Sequence, residues 1–332
     1  MLGSKVWDPD KVYFFLDHMA PAQNVGAAKN QKVLRDFAQE QGCHLVDINE
    51  GICHILLPEW GLVRPGSIVI ITDSHTVIHG AYGAFGTGVG ATDMASILID
   101  GSLWIRVPDV INVRLNGKLQ DGVMAKDVAL YILGQLGADF GNYKVIEFSG
   151  PVVEALSMEE RMVLTAMGVE MGAKSTFIKP DKTTIDYLWS RTDKPFTIYE
   201  SDADYQYAAE YEFDLTSLRP QVAIPHSVDN VRDVEDVEGI AIDQVFVGSC
   251  TGGRLYDIEV VAKALEGKKV APNTRLVVTM ATKQIIKEAI DKGYYQILLE
   301  AGACITAPGC GACGGLLIVN RFDPRSANKI DP

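Results

Sequence analysis

An α/β fold with mainly parallel sheets is predicted by three observations on this 332-residue chain. Short apolar runs alternate with helical patterns over much of its length. The runs are near-continuous rather than alternating: Ser67–Thr72 (Ser-Ile-Val-Ile-Ile-Thr) predicts a parallel strand buried on both faces. Polar clusters follow several runs directly. They therefore fall at the carboxyl ends of strands, where open α/β sheets place ligands.

Taken in order, Val12–Leu16 reads as a short buried strand. Ala27–Gln41 reads as an amphipathic helix with Val33, Leu34 and Phe37 on its apolar face. After Ser67–Thr72 comes the glycine-rich stretch Gly80–Gly90, then a helix opening over Thr92–Asp100. Gly86-Thr87-Gly88-Val89-Gly90 lacks the Lys-Ser/Thr of a P-loop and the spacing of a dinucleotide fingerprint, so a tight crossover is expected. Val110–Leu115 reads as a strand, and Ala125–Leu136 and Met158–Met171 as helices. Residues 190–238 are rich in Asp, Glu, Tyr and Pro and read as a connecting segment with short strands. Strand Gln244–Gly248, helix Leu255–Leu265, strand Arg275–Met280, helix Lys283–Lys292 and short strand Cys304–Ala307 restore the alternation. These changes of character divide the chain at 1–108, 109–225 and 226–332.

The composition, 47% hydrophobic and 22% charged, suits a globular protein with a substantial core. A net charge of −13 argues against a general nucleic-acid binder but leaves room for an anionic small molecule in a local cationic pocket. No apolar run approaches the roughly 18 residues that span a bilayer, and no secretory signal is visible. Six cysteines are too few for a disulfide scaffold, so a reducing, cytoplasmic compartment is expected, with thiols kept for metal.

Three of those cysteines stand in unusual surroundings. Cys250 lies in Val-Gly-Ser-Cys-Thr-Gly-Gly-Arg, and Cys310 and Cys313 in Pro-Gly-Cys-Gly-Ala-Cys-Gly-Gly. A close pair plus a distant thiol suits a [4Fe–4S] cluster with one iron left open to act as a Lewis acid. Cys-x-x-Cys alone also serves zinc or a redox dithiol. Zinc would need a fourth ligand, and no second such pair exists. A redox dithiol usually opens a helix, whereas glycines and Pro308 surround this pair. Cys43, Cys53 and Cys304 have ordinary neighbours and read as small buried hydrophobes.

Asp17-His18 follows the first apolar run, and Asp73-Ser74-His75 follows Ser67–Thr72. An Asp beside a His fixes its tautomer and raises its pKa, which suits acid–base work. Capping alone would explain one such cluster but fits two strand ends poorly. His54 reads by itself as structural, and His44, His79 and His226 have no supporting pattern. Glu147 is a lone acid in Tyr-Lys-Val-Ile-Glu-Phe, either a solvent-facing carboxylate or one with a function. Arg254, four residues after Cys250, is either a fork of donors for a carboxylate substrate or a surface residue at a helix N-terminus.

Seven ordered motifs from Asp8 to about Gly315 resemble the aconitase superfamily, above all the large subunits of 3-isopropylmalate dehydratases and homoaconitases. They are Asp-His-x-x-Pro at Asp17, Gly-Ile-Cys-His at His54, Thr-Asp-Ser-His-Thr at Thr72, and Gly-Thr-Gly-Val-Gly-Ala-Thr-Asp at Gly86. Glu-Phe-Ser-Gly-Pro at Glu147, Gly-Ser-Cys-Thr at Cys250 and Pro-x-Cys-x-x-Cys-x-Gly at Cys310 complete the set. The resemblance implies an iron–sulfur domain of three-layer α/β/α subdomains, with a [4Fe–4S] cluster on Cys250, Cys310 and Cys313. It implies reversible dehydration of a hydroxy di- or tricarboxylate, with 3-isopropylmalate and leucine biosynthesis foremost. Asp17 and His18 would protonate the departing hydroxyl. His54 and Asp73 would form a second pair, with His75 and Glu147 near the bound water and Ser74 and Arg254 at the substrate. A separate small subunit would supply the swivelling domain, a serine base and an arginine.

The same resemblance implies further segments in relatives, both before Val-Trp-Asp-Pro and after Gly315, so this chain is expected to be shortened at both ends. Asn320-Arg321 is similar to a substrate loop, but at a spacing that does not carry the role over. Relatives often have Asn where Gly252 stands here. An alternative expectation is a catalytically silent relative serving as a binding or scaffold subunit.

Overall fold

The apolar runs become strands and the capped stretches helices in a computed structural model that describes residues 5–314. Asn320-Arg321 lies outside the described residues. The order begins β1 (Tyr13–Phe15), α1 (Val25–Gln41), β2 (His44–Val46), α2 (Cys53–Glu59), β3 (Ile68–Ile71), β4 (Phe85–Gly88) and α3 (Ala91–Asp100). A 3-10 helix, Ser74–Tyr82, joins β3 to β4. The middle holds β5 (Val110–Asn116), α4 (Ala125–Leu136), β6 (Val145–Ser149), α5 (Pro151–Ala155), α6 (Met158–Ala166), β7 (Ser175–Phe177), α7 (Lys182–Trp189) and β8 (Ala209–Asp214). Then come β9 (Gln221–Ala223), β10 (Val231–Asp233), β11 (Gln244–Gly248), α8 (Leu255–Leu265), β12 (Arg275–Thr279), α9 (Lys283–Asp291), α10 (Tyr294–Ala301) and β13 (Cys304–Ile305).

Several helices start where a short polar side chain accepts an otherwise unpaired amide. Asn24 accepts from the Ala27 N–H, Asp181 from Thr184 and Thr282 from Ile285. Ser157 and Glu160 form a reciprocal capping box that opens α6.

The sheets are mainly parallel. The largest has the order β7-β6-β5-β8, all parallel; β11-β12-β13, β1-β2 and β3-β4 are parallel too, and among the described strands only the β9-β10 pair is antiparallel. One core gathers β5, β6 and their helices around Ile111, Val113, Leu115, Ile132, Ile146 and Phe148. The other is built from both ends of the described chain, with Ile52, Ile78 and Tyr82 packed with Cys250, Ile258, Val278 and Met280. That second core brings the strand ends of residues 13–71 beside the cysteines of residues 250–313.

Several local expectations are corrected. Residues 68–71 form a strand that is not buried on both faces: Ile68 is 73% exposed, because β3 pairs on one side only, with β4, among the described residues. Val33 is exposed, and Ala27, Gln31 and Ala38 form the buried face of α1 instead. The helix expected over Met158–Met171 stops at Ala166 and tightens into a 3-10 turn, Met167–Val169. Cys304 is exposed on the short strand β13, and Cys43 is half-buried; Cys53 is buried as expected. The connecting segment contributes β8, which pairs in parallel with β5 over its whole length.

Candidate functional site

Strand β1 and Leu16 deliver Asp17, strand β3 and Thr72 deliver Asp73, and β11 delivers Cys250 after the Ser249 turn. The three strand ends meet. The Cys310 N–H donates to the Asp17 carbonyl at 3.0 Å, pinning the second cysteine loop to the first strand end. Two glycines make this approach possible. A Cβ on Gly309, at φ +154°, would lie 2.8 Å from the Asp17 carbonyl oxygen, and one on Gly311, at φ +59°, 2.4 Å from Thr279 Oγ1.

Asp17 is buried and has each oxygen engaged: Oδ1 lies 2.9 Å from His18 Nδ1, and Oδ2 accepts the Cys53 N–H at 2.9 Å. Burial would raise its pKa, but His18 and the Cys53 hydrogen bond together hold the carboxyl below its usual range. His18 lies between two acids, with Nε2 3.4 Å from Asp73 Oδ2, and it also contacts the Cys310 thiol. Asp17 first, then Asp73 and Cys310, push the imidazole pKa far above the ordinary histidine value.

Asp73 is the hub. Its Oδ1 lies 2.8 Å from His54 Nε2 and accepts the His75 N–H at 2.8 Å, while His75 Nδ1 stands 3.6 Å away. Burial opposes ionisation there, yet His18, His54 and His75 together hold the carboxyl far below the usual range. His75 Nε2 faces Glu170 Oε1 at 3.9 Å. His79, without assigned role, packs edge-on to His54 at 5.8 Å between ring centroids, with neither ring nitrogen hydrogen-bonded among the described residues. Burial pushes its pKa well down.

Five of the expected acid–base residues, Asp17, His18, His54, Asp73 and His75, therefore share one network. Glu147 does not join it. That carboxylate, on β6, accepts a hydrogen bond from Ser201 Oγ at 2.7 Å. The acid brought to His75 is Glu170, hidden in the sequence because apolar spacing absorbed it into the end of the expected helix. Its available signal was its setting, Gly168-Val169-Glu170-Met171-Gly172, a lone acid between two glycines.

Cys250 and Cys310 are buried and Cys313 exposed, and no disulfide joins them. Burial first, then the neighbouring Cys310, pushes the Cys250 thiol up to about 12; Arg254 opposes and Cys313 adds. Burial also raises Cys310, against His18. Cys310 and Cys313 both act on the Cys250 thiol, so the three cysteines are neighbours, and this set of free thiols fits a group held by thiolates. Asp17, His18 and Cys310 also place one donor atom each within 4.8 Å of one another.

Arg254 is not on the surface. It is 2% exposed beneath the Cys250 loop, and its Nε and both Nη atoms have no hydrogen-bond partner among the described residues. Its charge lowers the pKa of Asp257 and of Glu159 against the stronger effect of their burial. Lys126 Nζ stands 3.4 Å from where a Cβ on Gly252 would lie. Ser74 is exposed on a cleft of about 520 Å³ that also includes Asp73, Gly88 and Lys174.

The family model described as the aconitase family (aconitate hydratase) matches residues 2–318. The large subunit 1 of 3-isopropylmalate dehydratase from Methanopyrus kandleri is 47% identical over 94% of this chain and 75% of its own length. A probable methanogen homoaconitase large subunit from Methanothermobacter thermautotrophicus is 43% identical over 94% of this chain and 73% of its own. The crystal structure of Thermococcus kodakaraensis aconitase X (holo-form) shares the fold, with a TM-score of 0.54 at 17% identity, covering 94% of this chain and 73% of that one. No described helix is long and apolar enough to cross a membrane. Identity this high across nearly the whole chain leaves one assignment: the chain belongs to the aconitase family.

Proposed function

We propose that this chain is the large subunit of a [4Fe–4S] hydro-lyase acting on a hydroxy di- or tricarboxylate, with 3-isopropylmalate, in leucine biosynthesis, the preferred substrate. The observation that carries the reading is His18, held between Asp17 and Asp73 and against the Cys310 thiol. A proton-holding side chain beside a three-thiol recess is what elimination of water from a hydroxy acid needs. The Methanopyrus kandleri relative, named as a 3-isopropylmalate dehydratase large subunit, supports the choice.

Cys250, Cys310 and Cys313 would hold the cluster. When bound, it would supply a Lewis-acidic iron toward the substrate hydroxyl and a carboxylate. The elimination breaks a C–O and a C–H bond and forms a C=C bond. Hydroxide is a poor leaving group, so the departing oxygen must gain a proton and leave as water. His18 holds that proton, with Asp17 fixing the ring through Nδ1 and Asp73 facing Nε2. His54 and Asp73 form a second pair, enclosed so that its geometry is set before substrate arrives. His75 and Glu170 face the departing water. Glu147, bonded to Ser201, is left outside the chemistry. Ser74 donates to a substrate carboxylate, and Arg254, enclosed under the cysteine loop, acts on Cys250 by charge rather than by touching substrate.

The base that removes the C–H proton comes from a small-subunit partner, in keeping with relatives that are themselves large subunits. The test is turnover of 3-isopropylmalate by the reconstituted chain mixed with the small subunit, followed as ultraviolet absorbance of the unsaturated acid. Turnover that needs both chains supports the reading. No turnover of any hydroxy di- or tricarboxylate by a cluster-loaded pair overturns it.

A further inference from the structure

We propose that Lys174 is a carboxylate-binding residue of this site, gripping the substrate carboxylate remote from the reacting carbon. The assignment rests on the hydro-lyase reading and adds a residue that the acid–base network does not contain.

The cleft of about 520 Å³ is walled by Thr72–Ser74, by Gly88–Gly90 and by the turn that carries Val169, Ala173 and Lys174. Glu170, which faces His75, belongs to that same turn, so the cleft opens directly beside the network. The Lys174 backbone is fixed on both sides. Its N–H donates to the Lys144 carbonyl at 2.8 Å, and its carbonyl accepts from Thr87 Oγ1 at 2.9 Å. A substrate-gripping side chain is most effective when its base does not move.

The ammonium itself is weakly engaged. It stands 3.5 Å from the Gly88 carbonyl and 5.8 Å from the centroid of the Tyr143 ring, and makes no ion pair among the described residues. The acid on the cleft wall, Asp73, has its charge taken up by His18, His54 and His75. Lys126 and Arg254, the cations nearest the cysteines, have Asp257 beside them. Lys174 is therefore the cleft cation whose charge is left for a ligand. In a chain of net charge −13, an anion needs such a local centre, and a concave wall focuses its field. Ser74, which lines the same cleft, offers a hydroxyl donor to the same carboxylate.

The test uses the cluster-loaded chain assembled with its small subunit, in wild-type, Lys174→Met and Lys174→Arg forms. Succinate, which carries no hydroxyl to eliminate, is titrated calorimetrically, and KM and kcat are measured with 3-isopropylmalate. Loss of one charge-assisted hydrogen bond predicts succinate binding at least about tenfold weaker in the Met variant. KM should rise by more than kcat falls, the Arg variant should recover most of the binding, and iron content should match wild type. Unchanged succinate affinity and KM in Lys174→Met would overturn the assignment. A wild type that binds succinate yet turns over no hydroxy acid would instead overturn the hydro-lyase reading, leaving Lys174 to be judged by the titrations.

Discussion

His54 Nε2 lies 2.8 Å from Asp73 Oδ1, with the imidazole 1% exposed and the carboxylate at the end of β3. The same carboxylate faces His18 and His75, so one side chain orients three imidazoles. An asparagine cannot do this, because one of its two terminal atoms donates instead of accepting. Asp73→Asn should lower kcat by on the order of 10²- to 10⁴-fold, the usual scale for a positioned proton-transfer group. Steady-state kinetics of the assembled enzyme check this, and a fall of less than about tenfold would contradict a catalytic network.

Gly309→Ala tests the link from backbone to cofactor. The added Cβ would meet the Asp17 carbonyl at 2.8 Å, against backbone that cannot swing aside, and in a conformation that L-residues avoid. Strain on the order of 1–3 kcal/mol is expected, concentrated on the Cys310 loop. The variant should stay folded by circular dichroism but hold much less iron than wild type after reconstitution. Full iron content would show that the loop tolerates a shift.

Arg161 has 0% exposure, with Nη1 and Nη2 at 2.7 and 2.6 Å from the two Asp181 oxygens and further bonds to the carbonyls of Leu156 and Glu154. Arg161→Met should cost about 3 kcal/mol, near the lower end for a broken buried pair, because Asp181 is partly exposed. Denaturant unfolding reads this as a lower midpoint; a change under about 1 kcal/mol would contradict it.

Burial raises the Glu59 pKa to about 7, against a hydrogen bond from Thr282 and the Arg191 charge. The native state therefore holds a proton there that the unfolded chain has released, and stability falls as pH rises from about 4.5 to about 7. Glu59→Gln removes that contribution. It should flatten the pH dependence in this window and stabilise the chain at pH 8 by on the order of 2 kcal/mol. An unchanged slope between those pH values would contradict the shift.

Strand ends and cysteine settings were readable from sequence because each is a local pattern: an apolar run followed at once by Asp-His, Asp-Ser-His or Ser-Cys. What was not readable depended on neighbours far along the chain. Glu170 looked like a helix residue because the break at Ala166 comes from packing against the 3-10 helix Ser74–Tyr82, which period alone does not reveal. Glu147 looked like an acid in search of a partner, and its partner is Ser201, 54 residues away. Arg254 looked like a helix-start surface residue, yet it is 2% exposed, which its neighbours in sequence do not reveal. The exposure of Ile68 and Cys304 follows from which strands lie beside theirs, also a long-range property.

The central claim is that Cys250, Cys310 and Cys313 hold a cluster beside His18. Iron and acid-labile sulfide per chain, after anaerobic reconstitution, test it most directly. About four of each are expected, as a [4Fe–4S] cluster requires, with loss of both in Cys250→Ala and Cys310→Ala. Folded wild-type protein with no iron above background, or full iron in either variant, would contradict it.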